Sequence, residues 1–220
     1  MSTPSEAKYI PALGYRWLTG LYDPVVALTT RERTFKRGLL RQAAPQPGET
    51  VLDLGCGSGT LALMLLQAQP AAKVTGVDGD PAMLAQARRK AQATGRTLQL
   101  DESLVQTLPY ADASFDLVVS SLFFHHLDRA TKQAAFAEAQ RVLKPGGRLH
   151  IADWGRAANP LMRLAFHGIQ LLDGYVTTAD NVAGRLPDYM REAGFADAAE
   201  SGRYSTVFGT MSLYRARKPG

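Results

Sequence analysis

One cysteine in 220 residues, Cys56, leaves no partner for a disulfide, and no His or Cys around it offers zinc-ligand spacing. That usage fits a chain kept reduced, so the expected compartment is the cytoplasm and no metal site is expected. No run approaches the roughly 20 apolar residues that cross a bilayer, and residues 1–10 lack the basic-then-apolar order of a secretory signal. Aromatic residues make up 8% of the chain and nowhere alternate with basic ones along a strand, which excludes a stacking platform for single-stranded nucleic acid. The net charge is only +5, part of it grouped as Arg31, Arg33, Lys36, Arg37 and Arg41 on one helix and Arg88, Arg89 and Lys90 on another. Such groups attract anionic lipid or nucleic acid weakly, so peripheral membrane contact stays open; their plainer reading is the solvated face of an amphipathic helix.

What the chain has is core: 45% hydrophobic residues over a length suited to one domain. Apolar spacing predicts a helix from Val25 to Ala43, stopped by Pro45-Gln46-Pro47-Gly48. Strands are expected at Val51–Leu54, Lys73–Val77, Thr97–Leu100, Phe115–Ser120 and Arg148–Ala152. Between them fall helices at Leu61–Gln67, from Pro81 to Thr94-Gly95, and at Thr131–Leu143, with Lys144-Pro145-Gly146-Gly147 as a turn. Strands separated by helices make parallel βαβ units. Two adjacent extended runs, Ala198–Thr206 and Val207–Ala216, should close the sheet as an antiparallel hairpin. The fold class is thus α/β, a doubly wound, mostly parallel, seven-stranded sheet in a single domain over residues 1–220. Residues 1–45 are read as a helical flap and 155–190 as a lid or acceptor segment before the hairpin.

Ligands of an open α/β sheet sit at the carboxyl ends of its strands, where strand order reverses. Gly55-Cys56-Gly57-Ser58-Gly59 follows the first strand there, and glycines let a ligand lie against bare main chain. A dinucleotide fingerprint would place its third glycine five positions after the first, where this chain has Thr60. Asp53 stands just before the loop, where a pyrophosphate would meet a carboxylate and be repelled; a cationic nucleoside would be attracted. Asp78 closes the second strand 23 residues beyond Gly55, where a carboxylate can accept from both ribose hydroxyls. Its plainer use is a helix cap before Pro81, for which Asp80 is better placed.

The segment from Val51 to Thr60 resembles the first motif of class I S-adenosylmethionine (SAM)-dependent methyltransferases. Gly76 to Leu84 is similar to that family's ribose-binding turn, Leu108-Pro109-Tyr110 with Phe115 to Val118 to its lead into strand four, and Arg141 to Gly147 to its turn before strand five. Together these span about half the chain and resemble most the branch of ubiquinone and menaquinone biosynthesis methyltransferases, with Tyr22-Asp23 as minor support. The resemblance implies a Rossmann-like fold and SAM as cofactor, with S-adenosylhomocysteine (SAH) as its product. It further implies cofactor contacts from Asp53, Gly55, Cys56, Gly57, Gly59, Asp78, Gly79, Met83, Leu104, Val105, Ser120 and Tyr22. One position departs: four residues before Leu-Pro-Tyr the family usually carries an aspartate that bonds the adenine amino group, and here Leu104 stands there, followed by Val105. Adenine is then expected on backbone groups and on Leu104 and Met83, unless a loop shift brings in Asp101 or Glu102.

Methyl transfer needs alignment and a dry cavity, and a base only if the acceptor carries a proton that must leave. His126 and His125, after Phe123-Phe124, are the candidates for a base or an acceptor-orienting group, with a structural role as the alternative. Asp153 and Trp154 end strand five on the same side, and Tyr15, Trp17 and Tyr22 are candidates for a flap or for core. Asn159–Tyr175, which carries His167, is apolar over much of its circumference, which fits a lid over an aromatic, quinone-like or lipid-like acceptor, a packing helix, or a dimer contact. The expected partner is a small-molecule acceptor, with no nucleic acid, and either a monomer or a homodimer is compatible. An RNA or protein methyltransferase is the rival, but Ser120-Ser121-Leu122-Phe123 stands where an Asn-Pro-Pro-Tyr-like tetrapeptide would be. A non-catalytic SAM-binding protein and a nicotinamide oxidoreductase complete the alternatives.

Overall fold

The computed structural model describes residues 32–220, apart from the side chains at positions 161, 165, 167, 169 and 171–173. Tyr15, Trp17 and Tyr22, most of the expected flap, and the His167 side chain therefore lie outside the described residues. Helix α1 (Glu32–Ala43) leads into β1 (Thr50–Leu54), α2 (Thr60–Ala68), β2 (Lys73–Asp78), α3 (Pro81–Ala93), β3 (Gln99–Glu102) and β4 (Phe115–Ser121). A single 3-10 turn (Phe124–His126) precedes α4 (Arg129–Val142) and β5 (Leu143–Trp154). Three helices follow, α5 (Pro160–Asp173), α6 (Tyr175–Val182) and α7 (Leu186–Glu192), and then β6 (Ala196–Ser205) and β7 (Thr210–Arg217).

The seven strands run in the order β3-β2-β1-β4-β5-β7-β6. The five from β3 to β5 are parallel, and β7 lies antiparallel between β5 and the edge strand β6, so the expected hairpin forms with its second strand innermost. Strands buried on both faces read as largely apolar runs, as Leu117–Val119 does and as Val51–Leu54 does apart from Asp53. One face is covered by α1, α2 and α5 through Phe35, Leu39, Leu61, Leu65 and Phe166, the other by α4 and α7 through Ala135, Phe136, Leu186 and Tyr189. Strand order reverses between β1 and β4, and the glycine loop and the 3-10 turn leave the sheet side by side at that crevice.

Helix starts follow the side chains that can cap them. Asp80 accepts from the Ala82 amide at 2.8 Å with Pro81 in the first turn, Asp128 from Thr131 at 2.8 Å, and Asn159 from Met162 at 2.8 Å. Three boundaries depart from the sequence pattern. Strand β3 begins at Gln99 rather than Thr97 and carries Asp101 and Glu102 into register with Val77 and Asp78. Strand β5 takes in Lys144-Pro145-Gly146-Gly147 as a bulge, because Phe115 pairs with Leu143 while Leu117 pairs with Arg148. The apolar segment after Asn159 ends at Gly174, whose φ of 94° turns the chain into α6.

The basic groups divide. Arg33, Arg37, Arg41, Arg88 and Arg89 are exposed as helix faces should be, but Lys36 is buried and paired with Glu32 at 2.5 Å. Lys90 donates to Ser58 Oγ at 2.8 Å and Thr60 Oγ1 at 3.2 Å, tying α3 to the glycine loop.

Candidate active site

The glycine loop folds back across the end of β2, with the amides of Gly55 and Cys56 both donating to the Val77 carbonyl at 2.9 and 3.0 Å. Gly55, Gly57 and Gly59 hold φ of 68°, 51° and 76°, the left-handed region that side chains resist. A Cβ at Gly55 would stand 2.2 Å from the Phe123 ring, and one at Gly59 would stand 2.9 Å from the Ala87 Cβ. Gly57 is different: its Cβ position meets only the Met83 methyl, at 3.3 Å. Two glycines thus permit close packing, while the middle one keeps main chain bare beside Met83.

Asp53 is 1% exposed at the end of β1, and among the described residues neither carboxyl oxygen has a hydrogen-bond partner. Burial pushes its pKa up to about 7, against the pull of the Lys36 ammonium and the Ala62 amide at the start of α2. A carboxylate kept dry and unpaired wants a cation or a donor. Asp78 is held for a different purpose: Oδ2 accepts from the Gly57 amide at 2.8 Å and Oδ1 from the Asp80 amide at 2.9 Å. Each oxygen keeps a second lone pair for a further donor. Burial raises the Asp78 pKa and these amides oppose the rise.

Tyr22 aside, which lies outside the described residues, the remaining cofactor candidates are on β4 or in the loops after β1, β2 and β3, the strands on either side of the reversal point. The Cys56 thiol is buried, and burial beside Asp53 and Asp78 drives its pKa well up, so it packs rather than reacts. Gly79 contributes an amide toward Asp78. Ser120 is fully buried and donates to the Leu54 carbonyl at 2.7 Å, fastening β4 to β1 at the reversal point. Leu104 is 39% exposed and Val105 buried, an apolar pair within the loop after β3. Asp101 Oδ2 is engaged within the chain, accepting from the Tyr110 hydroxyl at 2.9 Å and from Gln99 Nε2 at 3.1 Å. The Ser103 amide is likewise occupied, by the Asp78 carbonyl at 3.1 Å.

At the ends of β4 and β5 the structure builds a second polar group. His125 Nδ1 lies 2.7 Å from Asp153 Oδ1, and this fully buried carboxylate also accepts from the amides of Phe123, His125 and Trp154 at 3.2, 3.3 and 2.7 Å. The His126 ring lies 3.9 Å from that of His125, centroid to centroid, and its Nε2 is buried without a partner among the described residues. Burial, His125 and Lys132 hold the His126 pKa well below the usual imidazole range, so the ring is neutral. Lys132 is itself fully buried, donating to the carbonyls of Leu127 and Thr177. Helix α6 packs on the 3-10 turn. It is fixed there by that lysine, by Arg129 Nη2 on Asp180 Oδ1 at 2.9 Å, and by Asn181 Nδ2 on the Trp154 carbonyl at 3.2 Å.

Sequence reasoning missed Lys132, Asp180 and Asn181. A lone lysine or asparagine in a helix carries no signal of its own, since only the packing of α6 makes these side chains buried. Among the described residues no three His, Cys, Asp or Glu gather as metal ligands, and no helix is long and apolar enough to cross a membrane.

A bare glycine bend flanked by one buried and one half-buried carboxylate, at the reversal point of a doubly wound sheet, defines a nucleoside-binding α/β domain of the Rossmann-like type. A family model described as "Methyltransferase domain" matches residues 51–147. The ubiquinone/menaquinone biosynthesis C-methyltransferase UbiE of Paracoccus denitrificans is 30% identical over 184 residues, 74% of this chain and 72% of that protein. The demethylmenaquinone methyltransferase of Thermus thermophilus is 39% identical over 120 residues, 54% of each chain. Against the UbiE proteins of Cereibacter sphaeroides, as against the Thermus protein, the chain spans about half the relative's length, at 54%. Two solved structures share the fold. A SAM-dependent methyltransferase from Aquifex aeolicus has TM-score 0.63 at 20% identity, covering 83% of this chain and 89% of its own. The Haemonchus contortus phosphoethanolamine N-methyltransferase 2, in complex with SAM, has TM-score 0.69 at 18% identity, covering 85% and 53%. The chain belongs to the class I SAM-dependent methyltransferase family and resembles its UbiE branch.

Proposed function

We propose that this protein transfers the methyl group of SAM to a small-molecule acceptor of aromatic, quinone-like or lipid-like character, in the cytoplasm. The observation that carries the cofactor half is Asp53, a buried carboxylate without a hydrogen-bond partner among the described residues, set before a bend of bare main chain. Such a group favours the ammonium of SAM and repels a pyrophosphate. In this reading Gly55, Cys56, Gly57 and Gly59 offer main chain to the cofactor's amino-acid part, Asp78 and Gly79 take the ribose, and Met83, Leu104 and Val105 flank adenine. Ser120 acts through the fixed position of β4, its hydroxyl being spent on Leu54. The names of the UbiE relatives support a quinone-like acceptor, and the covering of the β4 and β5 ends by α5 and α6 supports a lid.

When bound, SAM supplies the methyl group and a neutral thioether leaving group. The chain's own task is to align an acceptor atom opposite that group and to keep water away. His125 Nδ1 is turned to Asp153, which fixes the orientation of the buried ring. His125 is the base in this reading should the acceptor carry a proton that must leave, with the neutral His126 ring tilted at 43° beside it. Incubation with SAM and a panel of phenols, hydroquinones and amine headgroups, followed by mass spectrometry for SAH, tests the reading. Acceptor-dependent SAH supports methyl transfer; SAM binding without turnover on any member of the panel makes the chain a SAM-binding protein without this activity.

A further inference from the structure

Two polar atoms under helix α6 are buried and unsatisfied among the described residues: Asn181 Oδ1 and His126 Nε2. Leaving such an atom unpaired costs about 1–3 kcal/mol, so folded chains retain one where something else completes it. For Asn181 the required complement can be read from its own amide. Nδ2 donates to the Trp154 carbonyl at 3.2 Å, which fixes the orientation of the group, and the remaining atom, Oδ1, can only accept. The missing partner is therefore a donor, an O–H or N–H.

The fold says where that donor would sit. Asp53 is level with Val119 on β4, and Val119 with His150 on β5, while Trp154 lies four residues further along β5. Neighbouring strands are about 4.8 Å apart and each residue advances about 3.3 Å. Asn181 is thus held beyond the carboxyl end of β5, one strand past the reversal point and roughly 13 Å further along the strand direction than the level of Asp53. That is the carboxyl-end side of the sheet, where ligands of an open α/β fold sit, one strand beyond the glycine loop. The residue is fully buried on a helix secured by Lys132 to Thr177 and by Arg129 to Asp180, so its carbonyl oxygen cannot swing out to meet water without moving α6. The second unsatisfied atom belongs to a neutral imidazole on the 3-10 turn against which α6 packs.

We propose that Asn181 is a specificity-determining residue of the acceptor site, its Oδ1 accepting a hydrogen bond from a hydroxyl or amine on the methyl acceptor, with His126 Nε2 as the second polar contact. The proposal rests on the methyl-transfer reading above and deepens it. It selects acceptors bearing a donor over isosteres that lack one, because a site built to bond a donor rejects the analogue without it.

The test uses the full chain saturated with SAH and two matched pairs of probes, 1,4-naphthohydroquinone against 1,4-naphthoquinone under anaerobic conditions and phenol against anisole, with binding read by calorimetry. The wild type is expected to favour the donor-bearing member of at least one pair by about tenfold. Asn181→Leu should reduce that preference to within about twofold while its affinity for SAM stays within about twofold of wild type. Asn181→Ala, which removes Oδ1 with a smaller side chain, should lose the preference in the same way and covers the case in which the leucine variant does not fold. A wild type without preference in either pair, or a preference that survives in Asn181→Leu, overturns the proposal. Failure of the wild type to bind SAM at all would instead remove the methyl-transfer reading.

Discussion

The two polar groups at the crevice are built on opposite plans. On the cofactor side the chain spends adjacent residues: Asp53 and the three glycines lie within seven positions, and Asp78 closes the next strand. There the loop is tied by main-chain bonds to Val77 and Asp78, while a single carboxylate is left without a partner. At the ends of β4 and β5 the group is assembled from His125, His126, Asp153, Lys132 and Asn181, drawn from four separate elements and their connections. There the carboxylate is the most heavily bonded group, with four donors on Asp153, and what lacks partners is neutral. The contrast teaches that one buried acid can be kept for a ligand while another is used to hold a loop. Number of partners, rather than burial, tells them apart.

Exchanging the roles of the two aspartates is the hardest test of that contrast. Asp153→Ala strands the His125 ring and three amides without an acceptor, and unfolding in urea should show a loss of at least about 3 kcal/mol. A loss below about 1 kcal/mol would mean that Asp153 is not the tie it is taken to be. Asp53→Asn should act in the opposite sense on stability. Its folded pKa, about 7, lies above the usual 3.8. The stabilising contribution is therefore complete below about pH 4 and is lost as pH rises through about 7. Removing the charge should make the ligand-free protein more stable at pH 8, by about 2–4 kcal/mol, while weakening SAM binding on the order of 100-fold. Lower stability together with unchanged SAM affinity would break the comparison from the other side.

Smaller effects sharpen it. Asp78→Ala removes the acceptor for the Gly57 and Asp80 amides and should weaken SAM binding by about tenfold or more; an unchanged dissociation constant would take Asp78 out of the site. Val207, 73% exposed at the tip of the β6–β7 hairpin, belongs to neither group. Val207→Ser should shift stability by less than about 0.5 kcal/mol and leave SAM affinity alone, as thermal unfolding and calorimetry would show.

How much of this was legible before the structure follows the same divide. The glycine bend, its flanking acids, the capping role of Asp80 and the five parallel strands were readable because each depends on residues close in sequence. The antiparallel closure was also readable as two extended runs without a helix between them. The start of β3 was not, since the pairing of Asp101 and Glu102 with Val77 and Asp78 depends on a neighbouring strand. Nor was the pairing of Lys36 and Lys90, which periodicity assigns to solvated faces until Glu32, Ser58 and Thr60 supply partners. Asn181 was the least legible. Its meaning comes from a hydrogen bond to Trp154, 27 positions away, that leaves its other atom unpaired.

Calorimetric titration of SAM into the ligand-free protein at pH 6 and pH 8 tests most directly whether Asp53 is held for a cation. Binding that needs the carboxylate should weaken about tenfold per unit below the Asp53 pKa of about 7. The dissociation constant is therefore expected to be about tenfold larger at pH 6 than at pH 8, with no binding of NAD at either pH. Equal affinity for SAM at the two pH values, or tighter binding of NAD than of SAM, would contradict the account.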